Sequence, residues 1–244
     1  MLKNKVALVT GGTGGIGEKI CEAFAQRGAN IAFTYHRNEE KAGLLQKSLE
    51  QQGRRVLAAK VSVLDKPGVD DFVQRVGEEL GPIDILVNNA AITQVMPFAL
   101  IEEDDWDRVM AINVKGVFMV TKAVVRGMIR RKCGNIVNLC SIAGQRLLEV
   151  PVHYATSKSA ILGFTTSLAK ELCRYGIRVN AVSPGFVDVG VGTNLTESQR
   201  REYVKYCSLG RSGKAEEVAE LVVFLASEQS SFINAQNIVI DGGL

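Results

Sequence analysis

Val6-Ala7-Leu8-Val9-Thr10-Gly11-Gly12-Thr13-Gly14-Gly15-Ile16-Gly17 passes from a short apolar run, through a glycine-rich turn, into a segment with helical periodicity. The run Val6–Val9 has the length and β-branched content of a buried strand. Glycines in the turn let the backbone bend tightly and approach a pyrophosphate, whose charge then meets the N-terminus of the next helix. Gly17 lets that helix lie close on the sheet. Glycine spacing by itself also suits an ordinary surface turn. Placement between a strand and a helix favours a dinucleotide-binding loop made of Gly11, Gly12, Thr13, Gly14, Gly15, Ile16 and Gly17.

The same alternation continues along the chain. Strand-like runs recur at 6–9, 31–34, 56–58, 83–87, 136–139, 179–182 and 238–240, with helical segments near 15–27, 39–52, 67–80, 103–132, 152–175 and 214–227. Strands separated by helices build a parallel sheet covered on both faces. No repeat or linker divides the sequence, so residues 1–244 are expected to form one doubly wound α/β domain with seven parallel strands. In such sheets ligands bind beyond the carboxyl ends of the strands. Gly11, Asn88, Ser141 and Pro184-Gly185 all follow strand-like runs.

Composition narrows the function. The chain has 244 residues, 46% hydrophobic and 23% charged, with a net charge of +3 that gives no reason to expect nucleic acid binding. The apolar stretch after Met1-Leu2-Lys3-Asn4-Lys5 is too short for a signal core or a membrane span, and a cytoplasmic location is expected. Five scattered cysteines and two histidines give no metal-ligand spacing, so no metal is expected.

Tyr154 and Lys158 stand four residues apart on one helix, thirteen residues after Ser141. Positions i and i+4 share a helix face, and a cation beside a phenol favours the phenolate. A tyrosine so placed can give a proton to a carbonyl oxygen or take one from an alcohol. The second strand ends in Thr34-Tyr35-His36-Arg37-Asn38, without the carboxylate that grips an NAD ribose. Arg37, helped by His36, suits a 2′-phosphate; the other reading is a solvated loop cation. NADP(H) is the preferred cofactor, with NAD(H) the alternative.

Together these residues resemble the short-chain dehydrogenase/reductase family over essentially the whole chain. The resemblance rests on Thr10–Gly17, Asn88-Asn89-Ala90, Asn113, Ser141, Tyr154/Lys158, Pro184-Gly185 and Asp241-Gly242-Gly243. Ser141-Ile142-Ala143-Gly144-Gln145-Arg146 and Leu209-Gly210-Arg211 are most similar to the β-ketoacyl-[acyl-carrier-protein] reductases within it. The resemblance implies a Rossmann fold and a division of labour. Tyr154 donates the proton, Lys158 binds the nicotinamide ribose and lowers the tyrosine pKa, Ser141 hydrogen-bonds the substrate oxygen, and Asn113 orders a relay water. It also implies cofactor contacts from Ser62, Val63, Asn89, Ala90, Ala91, Pro184, Gly185 and Val187.

Departures from the family pattern concern substrate more than reaction. Ala91 replaces a usual glycine, Ser62 a usual aspartate, and Val189 a threonine; Gly14 lacks the second cation of many NADP-preferring relatives. Leu147-Leu148 and a lid at about 188–212 are expected to shape the pocket, and the leucines suit either an acyl chain or lid packing. Arg126, Arg130, Arg131, Lys132 and Arg174 offer a dock for an acidic acyl carrier protein, or are simply solvated charges at helix ends. Apolar residues on several faces of 103–132 and 152–175 (Val117, Phe118, Val120; Ile161, Leu162, Phe164, Leu168) suggest subunit burial, and the family implies a homotetramer. The expected reaction is NADPH-dependent reduction of a 3-oxoacyl thioester. An alcohol dehydrogenase or ketoreductase for small or polyketide substrates is the alternative. A silent cofactor-sensing regulator is the third reading, against which Tyr154 and Lys158 are both intact.

Overall fold

The computed structural model describes residues 2–146, 148–190, 192 and 196–244. Among these residues, β1 (Val6–Val9), β2 (Asn30–Tyr35), β3 (Val56–Lys60), β4 (Ile85–Asn88), β5 (Gly134–Leu139), β6 (Ile177–Pro184) and β7 (Asn237–Ile240) form one sheet. Their order is β3-β2-β1-β4-β5-β6-β7, and every neighbouring pair is parallel. The chain therefore moves outward from β1 to β3, returns to lay β4 beside β1, and moves outward again. That reversal leaves a crevice at the carboxyl ends of β1 and β4.

Helices α1 (Gly15–Gln26), α2 (Glu39–Gln51), α3 (Lys66–Glu79), α4 (Glu103–Met110), α5 (Gly116–Arg131), α6 (Val152–Leu172), α7 (Glu197–Tyr206) and α8 (Ala215–Ala226) occupy the connections. β1 and β4 are buried at every position, as strands covered on both faces must be. One core lies under α1, α2 and α8, where Phe24, Leu49 and Val222 meet Phe33 and Val87. The other lies under α3, α5 and α6, where Phe72, Met128 and Leu172 meet Leu8 and Ile136. Each large apolar side chain so buried stabilises the fold by about 1.5–3 kcal/mol. Asn38 and Asp65 cap α2 and α3, accepting from the Lys41 and Gly68 N–H groups.

The expected helix 103–132 is interrupted: α4 passes through one π-helical turn, Ala111–Lys115, before α5 begins. Such turns are frequent at functional sites, and Asn113 sits in this one. The expected helix 152–175 ends at Leu172, with a 3₁₀ turn over Cys173–Tyr175 closing on Gly176 at φ +66°. β4 starts two residues later than its apolar run suggests. The Asp84 carboxylate accepts the Val6 N–H at 3.0 Å, and a charged side chain is favoured at the sheet's edge rather than inside it. Within the proposed 188–212 segment, α7 begins at a Thr196–Gln199 capping box. Residues 191 and 193–195 of that segment, and Leu147, lie outside the described residues; Leu148 is half-buried. Among the described residues no helix is long and apolar enough to cross a membrane, and no cluster of three metal-ligating side chains occurs.

Candidate active site

β1 delivers the chain into the glycine turn at the crevice. Gly11 has φ +65°, a conformation that excludes most side chains. A Cβ at Gly12 would approach Phe33 to 2.7 Å, and one at Gly17 would collide with the Gly11 carbonyl. α1 begins at Gly15 with Gly14 as its cap and no side-chain cap bond, so its first-turn N–H groups face the turn without one. An uncapped helix N-terminus behind a glycine turn fits an anionic pyrophosphate. The Val189 side chain rests on Gly15, where a Cβ would clash with it.

Asn89 locks this turn to β4. Its Nδ2 donates to the Thr10 and Gly11 carbonyls at 3.0 Å each, while the Thr10 Oγ1 accepts from the Asn89 and Ala90 N–H groups. Thr10 does as much here as the glycines, yet only its place before the turn marked it. Ala91 is not among the described residues with positive φ, so the extra methyl sits on ordinary backbone. Asn88 ends β4 rather than following it. Its Nδ2 donates to Thr121 and Asn138, and Asn138 donates to Thr165, a buried polar ladder tying α5, β4, β5 and α6.

Ser141 leaves β5 in extended conformation, and its Oγ accepts the Ala143 N–H at 3.1 Å. The Ser141 side chain also faces the Tyr154 phenol from α6, near enough to favour its ionised form. Lys158, one turn on, places Nζ 5.7 Å from the Tyr154 ring centre and donates to the Leu139 carbonyl at 2.9 Å. Tyr154 and Lys158 are both buried. The phenol pKa rises rather than falling as the spacing predicts. Burial pushes Tyr154 up to about 12, with Ser141 acting in the opposite direction. Burial likewise pushes the Lys158 ammonium below its ordinary value. Desolvation outweighs the pair because each charged form loses its water.

Asn113 is fully engaged. Its Oδ1 accepts the Ile92 N–H at 2.9 Å, and its Nδ2 donates to the Ile92 carbonyl and to the Ser157 Oγ. Ser157 in turn donates to the Tyr154 carbonyl at 2.7 Å. The chain Asn113–Ser157–Tyr154 joins the π turn to α6. Ser157 carried no sequence signal beyond its place between Tyr154 and Lys158.

The remaining expected residues divide. His36 and Arg37 follow β2 and are exposed. Ser62 accepts the Leu64 N–H at 3.2 Å, so its hydroxyl shapes its own turn. Val63 turns its side chain onto Gly116 at the start of α5. Pro184 closes β6, and Gly185 packs against Asp241, leaving no room for a Cβ. The Val187 carbonyl accepts the Val189 N–H at 2.8 Å.

The basic cluster sits elsewhere. α5 ends at Arg131 with only two residues between it and β5, so Arg130, Arg131 and Lys132 lie at the amino ends of the strands, as does Arg174 before β6. Ser141 and the start of α6 lie at the opposite pole. Arg131 also donates to the Ile83 carbonyl at 2.6 Å and approaches Asp84 at 3.9 Å, so it is part of the fold. Of the apolar residues expected to face a partner, Val117, Val120 and Ile161 are buried within the chain, whereas Phe118 is exposed.

A sequence-family profile described as "Enoyl-(Acyl carrier protein) reductase" matches residues 11–244. The 3-oxoacyl-[acyl-carrier-protein] reductase FabG of Thermotoga maritima is 41% identical over 243 residues, covering 100% of this chain and 98% of that protein. A gluconate 5-dehydrogenase from Burkholderia cenocepacia, solved in complex with NADP and tartrate, superposes with TM-score 0.94 at 35% identity, over 100% of this chain and 96% of its own. A 3-oxoacyl-[acyl-carrier protein] reductase from Brucella melitensis with bound NAD superposes with TM-score 0.92 at 33% identity, over 99% and 91%.

Proposed function

This chain belongs to the short-chain dehydrogenase/reductase family of oxidoreductases, and on that premise we propose that it reduces the 3-oxo group of an acyl chain on acyl carrier protein to a secondary alcohol with NADPH. Such a reaction belongs to fatty-acid or polyketide-type biosynthesis. The observation that carries this reading is that Ser141 faces the Tyr154 phenol at the carboxyl end of β5, beside buried Lys158. Two hydroxyls converging on one point suit a carbonyl oxygen that gains negative charge, more than the carbon–carbon double bond of an enoyl substrate.

When bound, the nicotinamide supplies the hydride. The residues around it bind, orient and move the proton. Gly11–Gly17 and the start of α1 hold the pyrophosphate, while Asn89, Ala90 and Ala91 line the ribose side. Ser62 and Val63 lie toward the adenine, and Pro184, Gly185 and Val187 toward the nicotinamide. Arg37 and His36, exposed at the end of β2, pair with a 2′-phosphate, which favours NADP(H) over NAD(H). Tyr154, protonated at neutral pH, gives its proton to the carbonyl oxygen, and Ser141 donates to the same atom. Lys158 binds the ribose and stabilises the phenolate left behind. A relay water at Asn113 binds its backbone, because its side chain is committed to Ile92 and Ser157.

Exposed Val95, Phe98 and Leu100 after β4, Val152 after β5, and Tyr206 and Leu209 after β6 ring the same pole. This apolar rim supports an acyl substrate. Carrier docking on Arg130, Lys132 and Arg174 would serve the site of a two-fold-related copy, since that cluster lies at the far pole of its own chain. The homotetramer implied by the family, with exposed Phe118 among its contacts, is part of the same proposal. Similarity to a gluconate 5-dehydrogenase favours, as second reading, oxidation or reduction of a small hydroxylated substrate.

The deciding experiment follows NADPH oxidation with a 3-oxoacyl thioester on and off carrier protein, against gluconate-type and simple ketones. Preference for the simple or polyhydroxy ketones would sink the acyl reading.

A further inference from the structure

Tyr203 lies on α7, in the chain segment that follows β6 to the active pole. It is half-buried, although its helix has no fully buried residue. The ring is braced by Phe186, two residues beyond the end of β6, with centroids 5.8 Å apart and planes inclined at 34°. Phe186 is itself fixed, since its carbonyl accepts the Gly213 N–H at 2.9 Å. The tilted pair holds the phenol in one place at little cost in rotamer freedom.

Three ionisable groups influence one another at this mouth. Tyr203 is close enough to Tyr154 for its charge to raise the Tyr154 pKa, and Glu149, from the loop before α6, acts on Tyr203 in the same sense. Burial and Glu149 both push the Tyr203 phenol up, so at neutral pH it carries its proton and is available as a donor. The exposed Glu149 carboxylate disfavours an anion in the same space.

We infer that Tyr203 is a specificity-determining residue: its phenol, braced by Phe186 beside Tyr154, donates a hydrogen bond to the second oxygen of a 1,3-dicarbonyl substrate, the thioester carbonyl of a 3-oxoacyl group. The inference rests on the 3-oxoacyl reading and deepens it. A 3-oxoacyl thioester carries two carbonyl oxygens on one face of a short chain. The reacting oxygen belongs to Tyr154 and Ser141, and the other needs a neutral donor nearby. A thioester satisfies Glu149 because it is uncharged. The free 3-oxo acid does not.

The test compares wild type with Tyr203→Phe, which keeps the ring against Phe186 and removes only the hydroxyl. The substrates are the N-acetylcysteamine thioester of 3-oxobutanoate and butan-2-one, each with NADPH. Loss of one hydrogen bond predicts a roughly tenfold fall in kcat/KM for the thioester, mainly through KM, with butan-2-one unchanged within about twofold. An unchanged thioester kcat/KM, or an equal fall for both substrates, overturns the inference while the functional reading stands. If the wild-type protein leaves the thioester unreduced, the functional reading fails and this inference goes with it.

Discussion

The Lys158 ammonium lies 5.7 Å from the centre of the Tyr154 ring, yet its hydrogen bond goes to the Leu139 carbonyl at 2.9 Å. Lysine and tyrosine share a helix face as their spacing requires, but burial, not the cation, governs the phenol. The group is thereby kept as an acid. Tyr154→Phe keeps the ring and removes the proton. Carbonyl reduction should fall about 10²–10⁴-fold while NADPH affinity, read by fluorescence titration, stays near wild type.

Burial also makes Tyr154 a source of pH-dependent stability. Its pKa rises from 10.0 to about 12 on folding, so the unfolded chain sheds the proton first. The contribution is complete below about pH 10 and disappears as the pH climbs to about 12, amounting to about 2–3 kcal/mol. Lys158 has the opposite sign: its lowered pKa gives stability that is present above 10.5 and lost as pH falls through the folded value. Between roughly pH 9.5 and 11.5, the urea midpoint of Tyr154→Phe should drop less than that of wild type. Parallel curves would show that folding does not hold the phenol neutral.

Asn113→Ala strips partners from the Ile92 N–H and carbonyl and from Ser157. Leaving half-buried backbone groups unpaired should cost about 1 kcal/mol or more, visible as a lowered melting temperature, together with loss of turnover. A variant that melts like wild type would place Asn113 outside the frame of the site.

Arg37→Glu puts a carboxylate at the end of β2, where no ion pair to Arg37 occurs among the described residues. The expected result is a loss of about tenfold or more in NADPH affinity, with NADH binding held or improved. Equal weakening of both cofactors would count against a 2′-phosphate contact.

Charge reversal at Arg130 and Arg174 leaves the Arg131 bond to Ile83 in place. KM should rise for a carrier-bound 3-oxoacyl substrate and stay constant for the same acyl group on a small thiol. Identical KM changes on both would remove the carrier from that surface.

The sequence was most legible where chemistry is local. Val6–Val9 followed by glycines could only end a buried strand in a tight turn, and Gly11 and Gly17 occupy the positions that demand glycine. The Tyr154/Lys158 spacing gave the shared face because helix geometry is fixed by residue number. Less legible were breaks inside long apolar stretches. The π turn at 111–115 follows from Asn113 gripping Ile92, a contact between segments 21 residues apart that no periodicity reports. α7 carries so few apolar residues that no helical period marks it, and its helix rests on the Thr196–Gln199 cap and the Phe186–Tyr203 contact.

Residue types and spacing by themselves determined the α/β alternation, the glycine turn and the Ser141, Tyr154 and Lys158 set. Tertiary structure decided what those groups experience. Burial raises the phenol and lowers the ammonium, Ser157 and Asn113 join the π turn to the tyrosine helix, and Arg130 and Arg174 stand at the pole away from Ser141 and Tyr154. The reason is physical: dihedral preferences and helix spacing act between neighbours in sequence, whereas desolvation and long-range hydrogen bonds exist only once distant segments have packed.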